Sequence, residues 1–100
     1  MENIKEQIIF HVTYTCKPGM AEAFINAVRE RGLQEKTRQE DGCMQYDYYA
    51  SAEDENKTLL VEQWSSREAQ QIHLTQPHMA GIRQAKEDHV IDTALELFDI

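Results

Sequence analysis

Residues 59–79 read LLVEQWSSREAQQIHLTQPHM, and this stretch decides the fold. Its first part is rich in branched apolar residues, which predicts a strand of about residues 58–64 that ends at Trp64, the only tryptophan. Ser65 and Glu68 follow with the spacing of a capping box, in which each side chain bonds a free backbone amide of the other residue. The stretch therefore predicts a strand that passes directly into a helix.

The predicted helix after Trp64 carries a histidine on its apolar side. Ala69, Ile72 and His73 lie at positions i, i+3 and i+4, so the pattern predicts that they face inward together. Pro77 interrupts this helix and favours the first turn of another one, over about residues 77–88. One stripe of that second helix contains His78, Ile82, Ala85 and His89.

Three more strands and one long helix are predicted outside this stretch. Alternating apolar residues predict a strand over residues 8–16, and tyrosine-rich residues 43–50 predict another after the Asp41-Gly42 turn. Between them, Lys17-Pro18-Gly19 precedes a helix that extends to about Gln39 and contains Gly32. Residues 51–57 form a polar loop, and residues 92–98 form the last strand. The apolar stripe of the long helix consists of Ala21, Phe24, Ile25, Val28 and Leu33.

The order β-α-β-β-α-β predicts an α+β fold of the ferredoxin-like, split βαβ type. Residues 1–100 are expected to form one domain, with a four-stranded antiparallel sheet and helices on one face. The first and third predicted strands have apolar residues on both faces, for example Phe10 beside Ile9 and Leu60 beside Val61. Helices on one face leave the other face open, so we expect a second copy of the chain to pack there as a homodimer.

Charge and composition exclude several partner classes. The chain has 10 basic and 18 acidic residues and a net charge of −8, which argues against nucleic acid and anionic membrane surfaces as partners. Residues 1–7 are polar and charged, and no apolar run approaches 18 residues, so we expect a cytoplasmic protein. In that compartment Cys16 and Cys43 are expected to be reduced thiols.

Trp64, His73 and His78 are the candidate catalytic residues. An indole can stack on an aromatic ligand and donate its N–H, and it serves equally well as a core residue. A neutral imidazole at His73 can accept a phenol proton, whereas the plainer interpretation is a buried histidine bonded to a carbonyl or to Glu62. His78 follows a proline at a helix start, where the helix dipole favours the neutral form of the imidazole. The alternative interpretation is that His78 has a surface or capping role.

Five further residues are candidates for substrate binding. Glu62 lies on the strand face of Trp64 and needs a polar partner. It either orients His73 or Arg83 or makes a plain structural bond, and the structural bond is the favoured interpretation. Tyr46 and Tyr48 share a predicted face with Met44 and either line a pocket or pack in the core. The remaining two are His11, on the outer face of the first strand, and Ile82, on the inward stripe with His78.

No motif for a metal or a cofactor is present. The four histidines form neither an H-x-x-x-H nor an H-E-x-x-H pair, and a proline separates His73 from His78, so we expect no zinc. His89 ends a helix and is interpreted as structural. The chain also has no nucleophile elbow, and with four glycines it has no phosphate-binding loop. We therefore expect no cofactor.

Four motifs together resemble one family. Their order and spacing are similar to those of the antibiotic biosynthesis monooxygenase domain, and the resemblance is strongest to small quinol monooxygenase-like members. It covers nearly the whole chain. The motifs are Lys17-Pro18-Gly19, Glu40-Asp41-Gly42-Cys43, Glu62-Gln63-Trp64 and His73-Leu74-Thr75-Gln76-Pro77-His78-Met79.

The resemblance implies a dimeric α+β barrel in which each sheet backs onto its partner. Many members oxygenate phenols, quinols or anthrone-like polyketides with molecular oxygen and without flavin, haem or metal, and a tryptophan at the place of Trp64 is implicated in catalysis in some. Relatives in the same superfamily degrade haem, isomerise small sugar-derived signals or have no known activity. The resemblance therefore indicates the fold more firmly than the reaction.

Our first hypothesis is a cofactor-independent monooxygenase that acts on a small quinol or phenol with oxygen. His73 or His78 is the base, Trp64 is the stacking wall and donor, and a hydroxyl of Tyr46 or Tyr48 positions the ring. Lowering a phenol pKa from about 10 to about 7 needs about 4 kcal/mol of preferential stabilisation of the anion.

Three alternatives remain open. The first is an isomerase of a small phosphorylated keto-sugar, which needs a basic anchor for the phosphate. The second is a non-catalytic dimer that binds a small ligand, and the third, weaker one is haem degradation. The candidate anchors for a phosphate are Arg29, Arg67, Arg83 and Lys86.

Overall fold

The computed structural model describes residues 6–99, so five residues of the polar segment at positions 1–7 lie outside the described part. Among the described residues no helix is both long and apolar enough to cross a membrane. The elements in chain order are β1 (Ile8–Cys16), α1 (Ala21–Glu30), α2 (Leu33–Arg38), β2 (Cys43–Ala50), β3 (Lys57–Trp64), α3 (Arg67–His73), α4 (Met79–His89) and β4 (Val90–Asp99).

The four strands form one antiparallel sheet in the order β2-β3-β1-β4, which confirms the predicted ferredoxin-like α+β fold. Ile8 pairs with Trp64 across β1 and β3, and Tyr46 pairs with Glu62 across β2 and β3. An irregularity between Cys43 and Gln45 shifts the start of β2. Met44 is exposed there, so the expectation that it shares the buried face of the β2 tyrosines was wrong.

The core lies between the helices and one face of the sheet. Phe24 of α1 is fully buried and meets Tyr14 and Tyr48 edge to face, with ring centroids 5.1 and 5.9 Å apart. Burying a side chain of this size contributes about 1.5–3 kcal/mol relative to leaving it in water. Other core residues are Ile8, Val12, Cys16, Val28, Leu33, Leu60, Ile82 and Ala85. Cys16 is buried and Cys43 is half-buried, and the two do not form a disulfide.

The predicted long helix is in fact two helices, because Gly32 has a φ of 70° and ends the regular repeat between them. A residue without Cβ adopts this left-handed conformation at little cost. The second helix, α2, is then held against β2. The amide of Gln34 donates to the Tyr46 carbonyl at 3.0 Å, and Arg38 pairs with Asp47 at 2.6 Å. This attachment fixes the turn after α2, where Glu40 lies.

The helix after β3 begins one residue later than the capping box predicts. Ser66 is the cap, and its hydroxyl accepts the backbone N–H of Ala69 at 3.1 Å. The short α3 turns His73 into the core with 2% exposure, whereas Ile72 is 58% exposed and so was wrongly expected to face inward. After a turn at Pro77, α4 begins at Met79 with His78 at the cap position.

Helices cover only one face of the sheet. The other face carries alternate residues of β1 and β3, which are half-buried. His11 lies on this face, and its ring meets that of Phe98 at 4.9 Å. The edge strand β4 is mostly exposed to solvent, including Ile91, Leu95, Leu97 and Phe98.

Candidate functional site

One carboxylate binds two histidines at the centre of the site. Glu40 Oε2 lies 2.7 Å from His73 Nδ1 and 2.8 Å from His78 Nε2. The three side chains are 10%, 2% and 10% exposed, in the order Glu40, His73 and His78. With both rings neutral, each nitrogen that faces the carboxylate donates its N–H to it. The arrangement then leaves the Nε2 of His73 as the basic nitrogen of that ring.

Three separate elements bring these groups together. Glu40 comes from the turn between α2 and β2, His73 from the last turn of α3 and His78 from the cap of α4. The turn is closed by a bond from the Cys43 N–H to the Glu40 carbonyl at 3.1 Å. Among the described residues, Glu40, His73 and His78 form a group that could hold one metal ion. Each side chain offers one ligand atom, and the three atoms lie within 4.8 Å of one another.

An aromatic wall borders His73. The Trp64 ring lies 4.7 Å from the His73 ring at an angle of 34°, and the Tyr46 ring lies 5.7 Å away in an edge contact. Trp64 is fully buried, and its indole N–H donates to Glu62 Oε1 at 3.1 Å. The indole can therefore stack against His73, but its N–H is already used within the protein.

Burial sets the electrostatics of the sheet face below the helices. Desolvation raises the pKa of the Glu62 carboxyl, and the hydrogen bond from Trp64 lowers it by less. Desolvation likewise raises the pKa of the phenols of Tyr46 and Tyr48. At Cys43, burial followed by the charges of nearby carboxylates raises the thiol pKa to about 11. The carboxyl, phenol and thiol groups of these residues therefore keep their protons to a higher pH than they do in water.

A solvent-open cavity lies on the other side of Glu40. Its volume is about 310 Å³, and Ala69 and Ile72 of α3 form part of its wall. Because α3 also carries His73 on its inner side, this one short helix separates the cavity from the buried imidazole. The remaining lining residues are Glu40, Asp41, Gly42, Ser65, Ser66, Glu68 and Gln76.

The structure brings together five of the residues proposed from the sequence. They lie around His73, where it contacts Tyr46 and Trp64 directly and meets His78 through Glu40. Glu62 joins the group by accepting the Trp64 N–H rather than by bonding His73 or Arg83, which corresponds to the structural bond that was the favoured alternative. The five residues are Tyr46, Glu62, Trp64, His73 and His78.

Three other candidates lie elsewhere, and one residue of the cluster was missed. Tyr48 is one ring further from His73, against Tyr46 at 5.9 Å, and Ile82 is a core residue with 1% exposure. His11 is on the open face of the sheet. Glu40 received no role in the sequence interpretation. The signal that pointed to it was its place in the Glu40-Asp41-Gly42-Cys43 motif.

Known proteins resemble the chain over most of its length. YjcS, an uncharacterised protein of Bacillus subtilis (strain 168), is 28% identical over 79 residues, which cover 77% of this chain and 75% of YjcS. YcnE of the same organism, provisionally named a monooxygenase, is 27% identical over 81 residues, or 80% of this chain and 83% of YcnE.

The solved structures include PA3566 from Pseudomonas aeruginosa. It superposes with a TM-score of 0.84 at 25% identity and covers 97% of this chain and 96% of its own. The family model described as antibiotic biosynthesis monooxygenase matches residues 7–85. That match spans well over half of the sequence, and it includes every residue of the Glu40, His73 and His78 cluster. The chain belongs to the antibiotic biosynthesis monooxygenase family.

Proposed function

We propose that this protein oxygenates a small quinol or related phenol with molecular oxygen and without a cofactor, and that His73 is the base. The observation that carries the proposal is the 2.7 Å bond between Glu40 and His73 Nδ1 beside the stacked indole of Trp64. The family to which the chain belongs supports a monooxygenase-like activity in general. The substrate class and the lack of a cofactor are our own extension.

The proposed chemistry begins with a proton transfer. His73 Nε2 takes a proton from a substrate hydroxyl, and the imidazolium that forms is stabilised by the Glu40 carboxylate. The quinolate is electron-rich enough to reduce oxygen directly. One oxygen atom enters the ring and the other leaves as water, and the substrate supplies all four electrons as the quinol becomes a hydroxylated quinone. The protein contributes binding, deprotonation and exclusion of water.

Access to the base requires a movement, because His73 is 2% exposed and Trp64 is fully buried. We propose that α3 moves outward to admit the substrate from the neighbouring cavity. This helix is only seven residues long, and the side chains of Ile72 within it and of Leu74 directly after it already face solvent. Short elements with few buried apolar contacts open at low free-energy cost.

The test measures the initial rate of menadiol oxidation by purified protein against buffer, because quinols also react with oxygen unaided. His73→Asn keeps an N–H donor for Glu40 but removes the basic Nε2. We expect it to lower the protein-dependent rate by at least about 100-fold, the usual contribution of a general base. Trp64→Phe tests the stacking wall. The control is His89→Gln, since the His89 side chain bonds the Ala85 carbonyl at the end of α4 and is not part of the Glu40, His73 and His78 cluster.

A rate for His73→Asn equal to that of the unaltered protein would contradict the role of the base. Equal rates for the protein and for buffer would contradict the oxygenase proposal itself. The mass of the product and the release of hydrogen peroxide distinguish oxygenation from simple oxidation. Simple oxidation gives the quinone and reduces oxygen to hydrogen peroxide, whereas oxygenation adds one oxygen atom to the ring and releases the other as water.

The isomerase alternative gains no support from the cavity beside Glu40. A sugar phosphate needs basic side chains, but the cavity is lined by the carboxylates of Glu40, Asp41 and Glu68. None of the four basic candidates is among its lining residues, and Arg67 pairs with Asp99 at the surface at 2.6 Å.

We also propose that the protein works as a homodimer through the face of the sheet that its helices leave open. Phe98 of β4 lies on that face beside His11 and is 43% exposed. Apolar residues of neighbouring strands, including Val61, extend the patch, and contiguous exposed patches of this kind mark association sites. Sedimentation of the protein at micromolar concentration should give a dimer, and Val61→Asp should shift it to monomer. A wild-type monomer would contradict this proposal.

A further inference from the structure

We propose that Glu40, His73 and His78 form a binding site for a divalent first-row transition-metal ion, with a coordination position left for water or a small ligand. Two imidazole nitrogens and one carboxylate oxygen meet there, all within 4.8 Å of one another. Three protein ligands with an open position are typical of reactive rather than purely structural metal sites.

Two of the three distances between the ligand atoms are close to those of a metal site, and the two imidazole nitrogens lie within 4.8 Å of each other. Zinc binds imidazole nitrogen and carboxylate oxygen at about 2.0–2.2 Å, which places neighbouring tetrahedral ligands about 3.3 Å apart. The two nitrogen–oxygen distances to Glu40 are 2.7 and 2.8 Å. Each must widen by about 0.5 Å to admit the ion. Rotation of the Glu40 side chain can supply this, because the carboxylate lies on a turn rather than within a helix or strand.

The donor set and its surroundings select the class of ion. Two imidazoles and a carboxylate suit zinc, iron(II), cobalt and nickel, whereas magnesium and calcium prefer oxygen ligands alone. Asp41 and Glu68 line the same cavity as Glu40, and the whole chain carries a net charge of −8. Negative charge at the mouth of a site raises the local concentration of cations. The cavity thus provides an entry path that ends at one of the ligands.

Metal binding rearranges the protons of the two rings. An ion takes the lone pairs of His73 Nδ1 and His78 Nε2, the atoms that otherwise donate to Glu40. Each neutral ring keeps its single proton on the opposite nitrogen, so no proton is gained or lost. His73 Nε2 then becomes an N–H and is no longer a base. A bound metal ion therefore excludes the proposed proton transfer. This exclusion rests on the proposed function, whereas the binding of the metal does not.

Calorimetric titration of the full chain with zinc, after treatment with a chelator, tests the site directly. We expect one ion per chain and a loss of affinity of at least about 100-fold in Glu40→Gln and in His78→Gln. Circular dichroism shows whether each variant is folded. The matched controls are Glu53→Gln in the exposed loop and His89→Gln at the end of α4, and both should bind zinc like the unaltered protein.

Cobalt(II) gives a second readout, since its visible absorption reports nitrogen and oxygen coordination in the unaltered protein and should vanish in Glu40→Gln. Absence of stoichiometric zinc binding, or equal affinity in Glu40→Gln, overturns the metal site whatever the activity. Tight zinc binding without any menadiol oxidation supports the metal site and contradicts only the proposed function. If menadiol oxidation persists at saturating zinc, the inference that a bound metal ion prevents the proton transfer is overturned.

Discussion

Replacing Glu40 with glutamine should destabilise the protein by about 2 kcal/mol. The carboxylate accepts two N–H groups, from His73 at 2.7 Å and from His78 at 2.8 Å, and it is only 10% exposed. A hydrogen bond to a charged group contributes about 1.5–3 kcal/mol, roughly twice as much as a neutral one. The amide keeps an acceptor oxygen but loses the charge. Each bond therefore loses about half of its contribution, and the two losses together amount to about 1.5–3 kcal/mol.

Urea unfolding at neutral pH, followed by the fluorescence of Trp64, measures this loss. The indole is fully buried and lies 4.7 Å from the His73 ring, so its emission reports the site as well as global unfolding. All samples must have the same protein concentration, because association changes apparent stability. Glu53→Gln is the control and should stay within about 0.5 kcal/mol of the unaltered protein. A Glu40→Gln variant equally close to the unaltered protein would refute the reasoning.

Three further substitutions test other parts of the core. Burial raises the pKa of Glu62 in the folded protein above its ordinary 4.5. The contribution of Glu62 to the free energy of unfolding is therefore most favourable below a pH of about 4.5, and it is lost as the pH rises through the raised pKa. Glu62→Gln should therefore gain stability relative to the unaltered protein as pH rises above about 4.5, unlike Glu53→Gln; a difference that does not vary with pH would contradict this. Gly42 has a φ of 88°, and a Cβ there would lie 2.6 Å from a methyl group of α3. Gly42→Ala should cost about 2–5 kcal/mol in thermal or urea unfolding. Gly19→Ala, with a φ of 76° and open space around it, should cost only about 1–2 kcal/mol, and equal losses would argue against the clash. The buried Tyr48 hydroxyl has no partner among the described residues, so Tyr48→Phe should raise the free energy of unfolding by about 1 kcal/mol, and a clear loss would reveal a partner.

Hydrophobic periodicity was sufficient to predict the fold, because β1, β2, β3 and the longer helices each place one face in the core. The four strands and the helix order follow from it. The break at Gly32 could not be placed in the same way. Leu33 continues the apolar stripe of α1 in sequence, yet α2 begins there and is held by the bond from Gln34 to the Tyr46 carbonyl. That bond joins positions 12 residues apart and leaves no periodic trace.

The inward direction of His73 was predictable from its helical spacing, but its partner was not. Glu62 was the expected carboxylate because it lies on the strand next to α3. The structure shows Glu62 accepting the N–H of Trp64, two residues further along the same face. Glu40 is 33 positions before His73 and lies in a turn, where side-chain direction follows no period. The exclusion of zinc compared only the spacing of histidines, so it did not address a ligand from this turn.

The inner face of β2 and β3 holds buried polar groups that lower the stability of the core. Glu62 has a raised pKa, and the hydroxyls of Tyr48 and Thr58 are buried without partners among the described residues. A buried hydroxyl without a partner costs about 1–3 kcal/mol, and an apolar side chain of similar shape would avoid that cost. Such groups persist mainly where function requires them. Under the proposed function, a phenolic ligand admitted by α3 would supply the missing partner at Tyr48, whose ring contacts Tyr46 beside His73. That part of the cost in the free protein would then be recovered as ligand affinity.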